Sequence, residues 1–168
     1  IDLIWGRACF ENTNTLLIER QEDSETINAD RIIIATGTRP ARPADVPFNE
    51  HSVFCSDKFL DLNRIPKSMI IVGGGVIGTE YACILATLGV RVTLVEGRDK
   101  LLDFLDQEII ESLQHAMRRM GITLRLGEKV LKIEEIAPEN GHGPLIRATL
   151  ESGKQLRAQT LLYTIDLL

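Results

Sequence analysis

Residues 68–96, SMIIVGGGVIGTEYACILATLGVRVTLVE, decide the fold of this chain. An apolar run at 69–72 leads into the glycine-rich turn GGGVIG at 73–78, and a stretch with helical periodicity follows. A second apolar run ends in Glu96, 18 residues after Gly78. This order predicts a strand, a tight turn, a helix and a second strand with a carboxylate at its tip. Such an arrangement is typical of a binding site for an adenine dinucleotide.

Each part of the motif has a physical role in such a site. Gly73 allows the tight turn because it has no Cβ, Gly75 leaves room for the pyrophosphate, and Gly78 lets the helix pack closely on the strand. The first turn of the helix offers free N–H groups to a diphosphate. Glu96 lies where a carboxylate accepts hydrogen bonds from both ribose hydroxyls. The alternative is a glycine turn that only packs a helix on a sheet, and the flanking strands and Glu96 disfavour it.

The pattern C-terminal to this motif continues the parallel sheet and then changes. A helix is predicted at 107–120, with Asp106 as its N-cap, followed by a strand at 122–126. Three alternating strands then follow, at 129–136, 145–151 and 154–158, joined by turns at 138–144 and 152–153, and a last apolar strand is predicted at 160–165. The fold class is therefore α/β, a parallel sheet with an antiparallel β-meander as one crossover.

The region N-terminal to the motif is predicted to be rich in β-structure. Strand signals occupy 1–10, 15–19, 25–27 and 31–35, and the last of these, RIIIA, is apolar without alternation, as expected of a strand buried on both faces. Thr36-Gly37 and three spaced prolines follow. We divide the chain into a β-rich segment at 1–44, a linker at 45–67 with a short helix at 56–62 capped by Ser56, and a nucleotide-binding domain at 68–168.

Composition excludes several classes of function. The net charge is −5 without a basic stripe, which argues against nucleic acid, and no apolar run approaches the ~20 residues that span a bilayer. The cysteines, Cys9, Cys55 and Cys83, show neither C-x-x-C nor metal-ligand spacing, which favours a reduced, cytoplasmic protein. The three histidines are scattered. We expect no metal site and no catalytic acid or base.

The chain resembles the flavin-dependent pyridine nucleotide–disulfide oxidoreductase superfamily over essentially its whole length. The stretch TINADRIIIATG at 26–37 is similar to the second FAD signature of that family, and GGGVIG, Glu96 and the meander are similar to its NAD(P) domain. The resemblance implies a Rossmann-like NAD(P)-binding domain preceded by the β-rich remnant of an FAD domain at 1–44, in which Thr36 and Gly37 contact FAD. It also implies the cofactors NAD(H), with NADP(H) as the alternative, and FAD in a longer parent protein.

One branch of the superfamily resembles this chain more than the others. LLDFLDQEIIESLQ at 101–114 is similar to the soluble pyridine nucleotide transhydrogenases, which exchange hydride between NADPH and NAD by way of FAD. A lipoamide dehydrogenase-like disulfide reductase and a non-enzymatic dinucleotide-binding module are the alternatives. The FAD glycine fingerprint, the interface domain and the A-x-G-R run after the last strand are missing. We therefore expect an inactive middle piece of a homodimeric parent that binds only a small-molecule dinucleotide by itself.

Motif alignment within the resemblance assigns further roles near the glycine turn. Val76 falls where related reductases carry a Tyr at the nicotinamide, Glu80 where a Glu approaches the carboxamide, and Val130 where an apolar residue packs on adenine. Arg98 either lies over the adenine, pairs with a 2′-phosphate or is a solvated loop charge, and Glu96 favours NAD over NADP. The predicted nucleotide-binding residues are Gly73, Gly74, Gly75, Val76, Ile77, Gly78, Glu80, Glu96, Gly97, Arg98 and Val130.

Overall fold

The computed structural model describes residues 1–40, 42–49, 51–137 and 145–164. The chain divides into two compact units, Ile1–Thr38 and Arg39–Leu168. Two predicted features, the turn at 138–144 that contains His142 and the chain end from residue 165, lie outside the described residues. Within the described ranges, no helix is both long enough and apolar enough to cross a membrane.

The first unit is a three-stranded antiparallel sheet. Its strands follow one another in the order β1 (Arg7–Asn12), β2 (Thr15–Glu19) and β3 (Ser24–Asn28). The predicted second and third strands are confirmed, whereas the first begins at Arg7 and not at residue 1. Of residues 1–38, all of which are described, only Ile18 is buried. The unit therefore has almost no apolar core of its own.

The prediction of a buried strand at 31–35 is wrong for this structure. The segment has no strand assignment, and the side chains of Ile33 and Ile34 are 91% and 69% exposed. A strand that is apolar on both faces needs strands beside it and layers above and below it. No described strand pairs with this segment, so its local sequence pattern alone does not produce a strand.

The second unit is built on a five-stranded parallel sheet of order β4-β11-β5-β6-β7. The strands are β4 (Val53–Cys55), β5 (Ser68–Val72), β6 (Arg91–Glu96), β7 (Thr123–Leu126) and β11 (Thr160–Tyr163). Strand β4 comes from the segment predicted as a linker and pairs with β11. A 3₁₀-helix, Ser56–Asp61, follows β4, and its N-cap is Cys55, not Ser56 as predicted.

The two predicted helices of this unit are confirmed. Helix α1 (Val76–Thr87) ends before Gly89, whose φ of +85° suits a residue without a Cβ. Helix α2 (Gln107–Arg119) has Asp106 at its N-cap position, as predicted, although the Asp106 side chain makes no capping hydrogen bond. Both helices therefore begin and end within a few residues of the sequence signals that predict them.

The meander forms a separate antiparallel sheet, β8 (Val130–Ile136), β9 (Leu145–Leu150) and β10 (Gln155–Ala158). Alternate residues of β5 pack on opposite sides of the parallel sheet. Met69 and Ile71 join the core beneath α1 and α2, whereas Ile70 and Val72 pack with the apolar face of the meander. Because both faces of the parallel sheet are covered, a ligand can reach it at the end where β5, β6 and β11 terminate.

Candidate functional site

A cleft of about 720 Å³ lies at the carboxyl ends of β5, β6 and β11. This volume falls within the range of small-molecule and cofactor sites, roughly 300–1,000 Å³. Seven predicted residues line it: Gly73, Gly75, Val76, Glu96, Gly97, Arg98 and Val130. Residues that are 57 positions apart in sequence thus meet at one edge of the sheet.

Close packing favours glycine at three positions of the turn, against backbone atoms at Gly73 and Gly78 and against the end of a side chain at Gly74. Gly73 has a φ of +111°, and a Cβ there would lie 2.8 Å from the carbonyl oxygen of Thr164. A Cβ at Gly78 would collide with the carbonyl oxygen of Gly73. At Gly74, a Cβ would lie 2.5 Å from the Leu101 side chain. The glycines therefore bring α1 close to the strand, as the motif predicts.

Thr164, just after β11, fixes the turn from the opposite side. Its backbone N–H donates to the carbonyl of Val72 at 2.8 Å. Its hydroxyl lies 3.0 Å from that carbonyl and 3.2 Å from the carbonyl of Gly73. Since the Thr164 side chain is buried and lines the cleft, it holds the glycine turn in place beside the strand.

Helix α1 begins at the cleft with free backbone donors. Gly75 is its N-cap, extended and without a side chain that could cap, and the first turn contains no acidic residue. The first N–H groups of an α-helix have no acceptor within the helix, and the helix dipole makes this end partly positive. Because Gly75 and Val76 line the cleft, this end of α1 can receive an anion such as a diphosphate.

Glu96 is a buried carboxylate at the tip of β6, and four donors converge on it. The N–H of Gly74 donates to Oε2 at 2.6 Å, and the N–H of Arg98 donates to Oε1 at 2.9 Å. The Arg98 guanidinium donates two more hydrogen bonds, from Nε to Oε1 at 3.0 Å and from Nη2 to Oε2 at 3.2 Å. The carboxylate therefore links the glycine turn to the loop after β6.

These contacts determine the ionisation of Glu96 and Arg98. Burial alone would raise the pKa of Glu96, but the Arg98 side chain and the N–H groups of Arg98 and Gly74 outweigh it, so the pKa is lowered. The hydrogen bond to Glu96 raises the pKa of Arg98 in turn, and Asp103 adds to that rise. Both groups are charged at neutral pH.

Arg98 bridges Glu96 and a second carboxylate. Its Nη1 donates to Oδ1 of Asp103 at 2.6 Å, and the Arg98 side chain is 47% exposed. The guanidinium thus lies at the mouth of the cleft, held between one buried and one exposed carboxylate. Its place in this ion-pair network favours none of the three predicted roles over the others.

Several predicted residues lie outside the cleft lining. Gly74, Ile77 and Gly78 belong to the turn and to the first turn of α1 but do not line the cleft, and Glu80 is an exposed residue of α1. Thr36 and Gly37 belong to the first unit, where they are exposed and outside regular secondary structure.

The cleft also contains residues that the motif did not predict. Tyr163 and Thr164 come from the end of β11, Phe104 from the loop after β6, and Lys129 from the loop before β8. The ring of Phe104 is 70% exposed, so an apolar surface is available at the rim. Tyr163 packs edge-on against Phe48, with 5.9 Å between ring centroids. No local spacing signals these residues, because each reaches the site through the sheet topology.

The residues of the cleft fit an adenine dinucleotide in chemistry and in size. One region offers uncapped helix amides for the pyrophosphate, and another offers an ionised carboxylate for a diol. Because the turn is made of glycines, it carries no side chains that would fill the space between the helix amides and the carboxylate. A nicotinamide held there would accept or donate a hydride, which is the chemistry that the cofactor supplies.

Comparisons with known proteins show which family and which relatives the chain is similar to. The sequence matches the family described as Pyridine nucleotide-disulphide oxidoreductase over residues 1–165. It is 46% identical over 166 residues to the soluble pyridine nucleotide transhydrogenase of Mycobacterium tuberculosis, covering 98% of this chain and 34% of the relative. The corresponding enzyme of Chromohalobacter salexigens is 42% identical over 164 residues, again with 34% of its length covered. The chain thus spans about a third of the relatives that it matches.

Solved structures share the fold. The HOCl-induced flavoprotein disulfide reductase RclA of Escherichia coli has 28% sequence identity and a TM-score of 0.72, over 96% of this chain and 35% of RclA. LpdA from Mycobacterium tuberculosis has a TM-score of 0.78 at 22% identity, over 96% of this chain and 36% of LpdA. At that lower identity, the likeness to LpdA shows the fold alone.

Proposed function

We propose, from the premise that this chain belongs to the pyridine nucleotide-disulphide oxidoreductase family, that its second unit binds NAD(H) across the cleft. The pyrophosphate lies on the N-terminal amides of α1, the adenosine ribose on Glu96, and the adenine against Val130. The unit is then a Rossmann-like nucleotide-binding domain with the meander as one crossover. Ile77 and Gly78 contribute by forming the first turn of α1.

One observation carries this proposal: the Glu96 carboxylate and the N-terminus of α1 border the same cleft. A carboxylate is an acceptor only, and it suits the vicinal hydroxyls of a ribose. Two of its four donors are backbone N–H groups that stay in place, whereas the two guanidinium contacts belong to a half-exposed side chain. A bound diol therefore replaces the guanidinium contacts and leaves the backbone contacts intact.

The same carboxylate favours NAD over NADP. A 2′-phosphate carries about −1.5 to −2 charges at neutral pH and would lie next to the ionised Glu96. Repulsion and desolvation of unmatched groups are worth roughly 1–3 kcal/mol. We infer a preference for NAD of that order, weakened by the nearby cation of Arg98.

The relative from Mycobacterium tuberculosis is matched over about a third of its own length, and we propose that this chain likewise works within a homodimeric flavoprotein that transfers hydride between NADPH and NAD by way of FAD. The support is the 46% identity to a transhydrogenase over nearly all of this chain. Thr36 and Gly37 are the residues of this chain proposed to contact FAD. The chain alone, in this proposal, binds nucleotide without turnover.

The nicotinamide end of the cleft is assigned to Val76 and Glu80. Val76 is 47% exposed at the cleft mouth, where its small side chain leaves the ring accessible from one face. Glu80, one turn further along α1, would accept from the carboxamide. Neither residue transfers a proton, because hydride transfer depends on the distance and orientation of the two rings.

Nucleotide binding is tested on the 168-residue chain by titration calorimetry with NAD, NADP and AMP, alongside an absorbance scan for flavin. The proposal predicts saturable NAD binding that is tighter than NADP binding. AMP is expected to bind more weakly because it lacks the second phosphate of the pyrophosphate. Equal or tighter NADP binding would refute the selectivity, and absence of binding by both dinucleotides would refute the site.

A disulfide reductase is the second candidate, favoured by the likeness to the flavoprotein disulfide reductase RclA. Such a reaction needs two cysteines that form a redox disulfide. Cys9, Cys55 and Cys83 are free thiols, and none of them lines the cleft. Activity assays of the full-length protein would distinguish the two functions. The first function predicts NADPH-dependent reduction of NAD analogues. The second predicts reduction of a disulfide substrate, which arsenite should inhibit once the enzyme has been reduced.

A further inference from the structure

A row of apolar side chains crosses the carboxyl end of the parallel sheet on the side that the meander covers. Tyr163 of β11 pairs with Val72 of β5, and Val72 pairs with Val95 of β6. Both valines belong to the core on that side, Tyr163 packs against it, and all three residues line the cleft. Neighbouring strands lie about 4.8 Å apart, so the row extends for roughly 10 Å along one wall of the cleft.

The two ends of this row differ. At β6, Val95 immediately precedes Glu96, and Val130 packs against the same core. At β11, the row ends in Tyr163, on the other side of β5 and its glycine turn. This inference rests on the proposed dinucleotide function, in which the adenosine lies at Glu96 and the pyrophosphate at the start of α1. A dinucleotide placed in this way crosses the end of β5 and reaches the end of β11 with its second base.

Phe48 restricts the ring of Tyr163. The two rings meet edge to face, with 5.9 Å between their centroids and an interplanar angle of 89°. Phe48 is itself fixed, because its N–H donates to the carbonyl of Val46 at 2.9 Å. The N–H of the next residue, Asn49, donates to the carbonyl of Val53 at 3.2 Å, at the start of β4. A ring that is already held in one orientation loses less entropy when a ligand packs against it.

The chemistry of Tyr163 suits a flat, cationic ring. Burial, together with the negative charge of Asp45, raises the pKa of Tyr163, so its phenol is neutral at pH 7. The nicotinamide ring of oxidised NAD is flat and carries a positive charge. Aromatic faces attract both flat rings and cations, which an aliphatic side chain does not do.

We propose that the Tyr163 ring contacts the nicotinamide of the bound dinucleotide, and that Phe48 is a positioning residue that acts through Tyr163. The motif assigns only Val76 and Glu80, both on α1, to the nicotinamide end of the cleft. Tyr163 adds a contact from β11, which the sheet topology brings to the same cleft. Because Tyr163 lies two strands away from Glu96, binding of the adenosine half does not depend on its ring.

ADP-ribose separates the two halves of the cleft, because it keeps the adenosine, the pyrophosphate and the second ribose of NAD but lacks the nicotinamide. Calorimetry compares both ligands on the 168-residue chain. Tyr163→Leu should weaken NAD binding about tenfold, the order expected for loss of one contact between a base and an aromatic ring. ADP-ribose affinity should stay within twofold, which also shows that the variant folds. Tyr163→Phe is the matched control: it keeps the ring and should keep NAD affinity within twofold.

Phe48→Leu tests the positioning role. It should weaken NAD binding about fourfold, as expected for loss of one edge-to-face contact, and leave ADP-ribose binding within twofold. In a double-mutant cycle, Phe48→Leu should have no further effect once Tyr163 is leucine. A loss of NAD affinity that persists in that background would overturn the role of Phe48.

Three outcomes would overturn the role of Tyr163 while leaving nucleotide binding established. They are equal losses of NAD and ADP-ribose affinity in Tyr163→Leu, unchanged NAD affinity in that variant, and a loss in Tyr163→Phe as large as that in Tyr163→Leu. Binding of neither ligand by the wild type would overturn the proposed function and this inference together.

Discussion

Replacement of Glu96 by glutamine tests the centre of the site with almost no change in volume. Four donors converge on the carboxylate, and an amide keeps one acceptor oxygen but places an NH₂ group against some of them. Gly74, whose N–H is buried, or Arg98 then loses a partner. Leaving one buried donor unsatisfied costs about 1–3 kcal/mol. We therefore expect Glu96→Gln to unfold more easily by that amount.

The loss of NAD affinity follows from the same contacts. Hydrogen bonds to a charged group are worth about 1.5–3 kcal/mol. The ribose displaces two guanidinium contacts of Glu96 when it binds, so the lower end of that range applies. This corresponds to a dissociation constant about tenfold higher in the variant.

Urea denaturation and NAD titration measure the two effects on the same preparations. Glu151→Gln is the matched control, because Glu151 is an exposed residue of the turn between β9 and β10 and does not line the cleft. It should leave the urea midpoint and the NAD affinity unchanged. A Glu96→Gln variant with the wild-type midpoint and with NAD affinity within threefold of wild type would show that the carboxylate neither holds the glycine turn nor contacts the ribose.

Three further predictions follow from the same geometry. Gly78→Ala should lower the stability by about 1–3 kcal/mol or more and abolish NAD binding, because its Cβ collides with the Gly73 carbonyl. The control Gly89→Ala meets only the penalty of its backbone conformation and should keep wild-type affinity. Thermal unfolding and NAD titration compare the two variants, and equal losses of stability and affinity would contradict the clash. Thr164→Val should cost about 1 kcal/mol in urea denaturation, because it removes the hydroxyl donor to the Val72 and Gly73 carbonyls; an unchanged midpoint would count against this positioning. Because the pKa of Glu96 is lowered on folding, its contribution to stability is complete above its usual value of 4.5 and is lost as the pH falls through the folded value. Wild type should therefore lose more stability than Glu96→Gln in urea titrations between about pH 5 and pH 3, and parallel losses would refute the shift.

The features that depend on local sequence were predicted closely. Strand β6 ends at Glu96, where the second apolar run ends, and α1 begins at the valine after the third glycine. These elements are specified by neighbouring residues: glycines that permit the turn, a helical period and a polar residue after an apolar strand. The position of Glu96 beside the glycine turn follows because adjacent parallel strands end at the same edge.

The features that the sequence did not predict depend on distant residues. Val53–Cys55 is too short to stand out as a strand, and it becomes one because β11 provides a parallel partner. The apolar segment at 31–35 does not form a strand, because no described strand lies beside it. Thr164 and Lys129 reach the cleft through loops whose course only the folded sheet defines.

Glu96 has a satisfied hydrogen-bond shell before any ligand arrives, and this limits what the ribose can contribute. Each hydroxyl that NAD offers replaces a contact from a charged guanidinium, and charge-assisted contacts are the stronger kind. The exchange therefore contributes only the lower end of the about 1.5–3 kcal/mol that hydrogen bonds to a charged group are worth, and most of the affinity must come from the pyrophosphate on the amides of α1 and from burial of the adenine. The carboxylate also contributes discrimination, because the 2′-hydroxyl satisfies it and a 2′-phosphate does not.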